Sequence, residues 1–214
     1  MNESTKSSFF PALVGNIFPL IGVLFFNWSV TSILLAYWLE NVVIGVYQVI
    51  KMHRAEVNFP TNERNKLVVG RLRPILASEK VFYPIFFCVH YVIFLLGHLF
   101  FLRFFGQMLK ESVSFTWSVV VSAIPFVVTH GRAYVSEYVE KKQYAEIPMA
   151  KLFIAPYRRI FIMHATLIIG SIPLLFLAGS VPKIGVVLVL LKVILDVVLK
   201  EKEFGFWKKL EEKN

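Results

Sequence analysis

The chain has 214 residues, of which 57% are hydrophobic and 17% charged, and it carries a formal net charge of +9. Ordinary soluble domains hold roughly 45–50% apolar and about 25% charged residues, so this balance excludes a typical soluble domain and points to a lipid bilayer. The basic residues lie in loops between apolar runs, as membrane topology requires, so nucleic acid is excluded as the expected partner. The one cysteine, Cys88, sits within an apolar run, which rules out a disulfide within the chain.

Six apolar stretches of about 20 residues each match the thickness of a bilayer core and predict an all-α, polytopic transmembrane helix bundle over residues 9–200. After a short tail, 1–8, the first span runs from about Phe9 to Phe26, with no Ala-x-Ala cleavage site, and is expected to be retained. Its Gly15, Asn16, Pro19 and Gly22 predict a bent, closely packed helix. The second span, about Val30 to Ile50, contains Tyr37-Trp38-Leu39-Glu40-Asn41 and leads into a basic loop, about 51–80. The third, about Val81 to Phe105, is rich in Phe and carries His90 and His98. A fourth follows from about Val113 to His130, and a hydrophilic loop, about 131–156, passes through Pro148 and Pro156 to the fifth, about Tyr157 to Ala178. The sixth, about Val181 to Leu199, ends in a basic tail, 201–214, where Phe204, Phe206 and Trp207 beside Lys208 and Lys209 form an interfacial anchor.

Charge fixes the expected orientation. Nineteen of the 23 Lys and Arg residues fall on one side of this pattern, three (Arg103, Lys110 and Lys183) fall on the other, and Lys192 lies within the sixth span. Cytoplasmic loops retain positive charge, so both termini are expected in the cytoplasm, with the chain crossing the membrane several times.

Ionisable groups inside a membrane are costly unless paired or put to use. Glu40, His90 and His164 fall in three different spans at similar depth, and two imidazoles with one carboxylate suit a divalent metal, zinc or iron, that activates water or oxygen. His98 stands eight residues from His90, about 12 Å along the helix, so the two cannot share an ion, and His98 is expected to position or protonate an apolar substrate beside Glu40. Haem held by His90 and His164 is a less favoured variant, with no Cys-x-x-Cys-His attachment motif. A second reading makes Glu40 the titrating carboxylate of a proton-coupled transporter or ion pathway. A third makes the same residues an interhelical hydrogen-bonding network, within a homo-oligomer or around a partner. Lys192 and Asp196, four apart, are expected to pair on one helix face, although Asp196 is also placed to relay protons. Arg158 and Arg159 are expected to anchor the fifth span at lipid phosphates or to recognise a substrate head group.

At Tyr37-Trp38-Leu39-Glu40-Asn41, at His90-Tyr91 with His98 eight on, and at Arg159 with His164 five on, the chain resembles a family of uncharacterised prokaryotic integral membrane proteins known only as a domain of unknown function. The resemblance spans about residues 10–200. It implies no activity, and it favours Glu40, His90, His98 and His164 as the residues of interest.

Overall fold

The computed structural model describes residues 21, 22, 25, 28–61, 68, 71–108, 110–114, 116–176 and 189–194. Most of the expected first span and most of the sixth lie outside these residues, as does Asp196.

Helix α1, Val30–Arg54, is the centre of the bundle. Its consecutive residues Ile33, Leu34, Leu35, Ala36 and Tyr37 are all buried, the pattern of a helix surrounded by others rather than one with a single apolar face. Two caps fix its start. Ser29 Oγ accepts from Ser32 N at 3.1 Å, and Glu111 Oε2 reaches in from a loop to accept from Thr31 N at 3.0 Å, satisfying two of the amides that a helix leaves open. Lys51, His53 and Arg54 in the last turn suit the negative end of the helix dipole.

The loop after α1 is more ordered than its polar composition suggests. Two short antiparallel strands, β1 (Val57–Asn58) and β2 (Arg73–Pro74), clip it together. Buried Asn58 organises the clip: its Oδ1 accepts from Phe59 N and Ala150 N, and its Nδ2 donates to Glu79 Oε1. Arg73 forks onto Glu79 through two bonds of 2.8 and 2.7 Å, which push the guanidinium further above its already high pKa range. Glu79 also accepts from Leu76 N, just before helix α2, Ala77–Met108.

Helix α2 packs on α1 along one side through Phe87, Tyr91, Leu95, Leu102 and Phe105, and on the other exposes Phe82, Ile85, Val89, Ile93 and Phe100. A broad exposed apolar face of this kind suits lipid as its surroundings. The expected fourth span is present as a helical run with a one-residue interruption. A short helix α3, Trp117–Val121, is followed by α4, Ala123–Ala133, with Ser122 between them. Pro125 explains the break, because it has no amide to donate to Val121 and its ring crowds that carbonyl. Beyond α4 the chain continues as a wide turn, Tyr134–Val139, and a tight one, Gln143–Ala145, so the helical run extends nine residues past the expected end at His130.

Helix α5, Met149–Phe176, starts eight residues before the expected Tyr157. Pro148 stands just ahead of its first turn, where a missing amide costs nothing. Pro156 was expected to end the preceding loop, yet it lies inside the helix. It leaves the Leu152 carbonyl without its usual helical donor, and the Gln48 side-chain amide of α1 donates to that carbonyl instead. A buried interhelical bond therefore replaces the one that proline removes. Val30–Arg54, Ala77–Gln107 and Val119–Val139 are each long and apolar enough to cross a membrane.

Candidate functional site

Glu40 lies in the middle of α1 and is buried. Both of its carboxylate oxygens are bound by cations from distant parts of the chain. Arg159 Nη1 of α5 donates to Oε1 at 3.0 Å, and Lys192 Nζ, from the helical residues 189–194, donates to Oε2 at 2.8 Å. The Lys192 ammonium also sits 4.4 Å from the centre of the Tyr37 ring, one turn back along α1. Glu40 and Lys192 are thus desolvated together and hydrogen-bonded to each other, with the half-buried Arg159 guanidinium bonded to the other carboxylate oxygen, the condition under which buried charges persist.

Lys192 was expected to pair with Asp196 by helical spacing. Its bond to Glu40 comes from packing across helices, and Asp196 lies outside the described residues. Arg159 was expected at a lipid phosphate or at a substrate head group. Its Nη1 binds Glu40, while the Arg158 side chain lies outside the described residues. One signal for both partners was present in the sequence: opposite charges placed inside different spans seek each other in a medium that cannot solvate them.

The second polar pair joins α2 and α5. His98 Nε2 and His164 Nδ1 are 2.6 Å apart, and their rings meet nearly edge to face. The Phe94 carbonyl, 2.8 Å from His98 Nδ1, can only accept, so Nδ1 carries the proton and Nε2 of a neutral His98 is an acceptor. His164 Nδ1 must then donate to it, which also fits the Ile160 carbonyl 3.3 Å away. This tautomer leaves His164 Nε2 unprotonated. The pair lies on the wall of a cavity of about 320 Å³ that Ile93, Phe94, Gly97, Phe100 and Phe101 complete. His98 is buried and His164 exposed.

His90 takes no part in either pair. Its ring stacks on Phe94 with centres 5.0 Å apart and meets Phe86 and Tyr157 edge to face. The structure therefore does not bring Glu40, His90 and His164 together, and among the described residues no three His, Cys, Asp or Glu side chains converge as a metal-ligand set. A divalent ion at Glu40 would have to displace both cations from the carboxylate.

Towards the end of α1 the ionisable groups continue. His130 of α4 lies within electrostatic range of Glu40, Arg159, Lys51 and Lys192, and Lys51 within range of Glu137 and Arg159. Tyr47 fills the space beside His130, with ring centres 6.4 Å apart, and its hydroxyl donates to the Val127 carbonyl. His130 and Lys51 had carried no functional expectation, because each stood alone at the edge of an apolar run.

No curated protein and no solved structure matches the chain. A family profile does, over residues 2–212, and it agrees with the resemblance carried by the Glu40, His90 and His164 motifs. The chain belongs to a family of unknown function, DUF6498.

Proposed function

We propose that the protein crosses a prokaryotic cytoplasmic membrane six times, with both termini in the cytoplasm, and carries protons along a polar path in a proton-coupled transport cycle. The observation that carries this reading is Glu40, a buried carboxylate held by Arg159 and Lys192 from two other chain segments. Ionisable groups are retained at such depth where they relay ions, and a carboxylate gripped by exchangeable cations can release one of them when it takes up a proton.

Further support comes from the order of groups along the helices. The His98–His164 pair stands on the side of Arg159 that leads towards the expected outer surface, and His130, Lys51 and Glu137 stand on the cytoplasmic side. A proton arriving at His164 Nε2 allows the Nδ1 proton to pass to His98 Nε2, leaving an imidazolium still bonded to the Phe94 carbonyl.

The test is proton flux into sealed vesicles. Purified protein reconstituted in liposomes with a trapped pH indicator should acidify the interior under an imposed inside-negative potassium diffusion potential, faster than protein-free vesicles. Equal rates with and without correctly inserted protein would remove the proposal.

A further inference from the structure

Beyond the buried site, the cytoplasmic end of the bundle holds a larger cavity of about 660 Å³, whose lining includes Ile50, His53, Arg54, Glu56, Lys80 and Tyr134. Its cationic groups come from two elements, Arg54 and His53 from the last turn of α1 and Lys80 from the first turn of α2. Neither Arg54 nor Lys80 has a carboxylate within ion-pair distance among the described residues. Arg54 is instead held by stacking, its guanidinium 5.1 Å from the centre of the Tyr144 ring. Glu56 is fixed through its backbone, its amide donating to the Tyr144 carbonyl and its carbonyl accepting from Ile75 N, both at 2.9 Å. Arg54 and Lys80 outweigh Glu56 by one positive charge, so the cavity suits an anion.

The surroundings narrow the class of anion. Ile50 in the lining is exposed, and so are Val81 and Phe82 next to Lys80 and Val135 next to Tyr134. Cationic groups and exposed apolar side chains thus meet at one place, which a freely soluble anion has no use for and an amphiphile does.

We infer that this cavity holds the phosphate group of an anionic phospholipid of the cytoplasmic leaflet, with Arg54 and Lys80 donating to its oxygens and Ile50 and Val81 beside its acyl chains. The choice of leaflet rests on the orientation proposed above. A guanidinium steadied by an aromatic ring presents its N–H fork to phosphate with little loss of freedom, and the compact ammonium adds a second donor.

The experiment is native mass spectrometry of the full chain released from detergent, with phosphatidylglycerol and phosphatidylcholine supplied in equal amounts. Each basic residue near a membrane surface contributes about a fivefold preference for anionic lipid, so wild type should retain phosphatidylglycerol by about fivefold or more over phosphatidylcholine. R54Q and K80Q should each reduce that preference, and the double variant should bring it close to one, with an unchanged thermal melt. Equal retention of both lipids by wild type, or an undiminished preference in the folded double variant, would overturn the inference. Displacement of the bound lipid by millimolar inorganic phosphate would also overturn it, by making the cavity a site for free anions. A lipid preference that survives while proton flux is absent counts against the transport proposal alone, and labelling of this face from outside intact cells counts against the orientation.

Discussion

Arg159 Nη1 donates to Glu40 Oε1 at 3.0 Å, joining residues 119 positions apart in the chain. Lys192 closes the other side of the same carboxylate, so one residue ties together three segments of the protein. Removing the charge from Glu40 takes the shared carboxylate away from the buried Lys192 ammonium and the half-buried Arg159 guanidinium. Glu40→Gln should therefore destabilise the folded protein by about 3–5 kcal/mol, the usual cost of breaking a buried ion pair from one side. Lys192→Met should cost less, because Arg159 still holds the carboxylate. Combining the two should recover part of the loss, and a double-mutant cycle from denaturation in mixed micelles would read the coupling directly.

The histidine pair makes a prediction about protons. Nitrogen NMR of histidine-labelled protein should find His98 protonated at Nδ1 and unprotonated at Nε2, with a shared-proton coupling to His164 Nδ1 that vanishes in His164→Phe. A His98 carrying its proton on Nε2 instead would contradict the assignment from the Phe94 carbonyl.

Glycine substitutions separate close packing from helix propensity. A Cβ at Gly45 would lie 2.5 Å from Tyr91 Cε1, and Tyr91 is buried, stacked on Phe87 and bonded to the Asn41 carbonyl. Gly45→Ala should therefore destabilise by about 1–3 kcal/mol through overpacking, despite the roughly 1 kcal/mol that alanine gains in a helix. Gly97→Ala meets nothing within 4 Å and should leave the melting temperature unchanged or raise it.

Asn58 joins the strand clip to two helices. Asn58→Ala should cost about 2–4 kcal/mol, since it strands buried amides at Phe59 and Ala150 and removes a bond to Glu79. Asn58→Asp keeps the oxygen that accepts from both amides but replaces the donor to Glu79 with a second carboxylate oxygen, so it should also destabilise, and more so at neutral pH than in acid. Thermal unfolding of both variants at two pH values checks this.

Much of the helical framework was legible because apolar runs of bilayer length have few other uses, and Val30–Arg54 and Ala77–Met108 extend the expected spans by only a few residues. Proline misled in both directions. Pro125 interrupts a run expected to be continuous, while Pro156 sits inside a helix because Gln48 replaces its missing bond. Glu40, His98 and His164 stood out as costly groups in apolar surroundings. Which residues pair with which did not, since spacing rules reach one or two turns along a helix, whereas the Glu40 contacts with Arg159 and Lys192 and the His98–His164 contact arise from packing between helices. Depth alone could not distinguish one three-ligand centre from two separate pairs.

Whether Glu40 itself carries the proton is tested most directly by comparing wild type, Glu40→Asp and Glu40→Gln in the same liposomes, with equal insertion verified for each. Potential-driven acidification in wild type, retained in part by Glu40→Asp and abolished in Glu40→Gln, is the expected result. Undiminished flux in a folded, correctly inserted Glu40→Gln protein would contradict it and leave the buried cluster as a structural tie between helices.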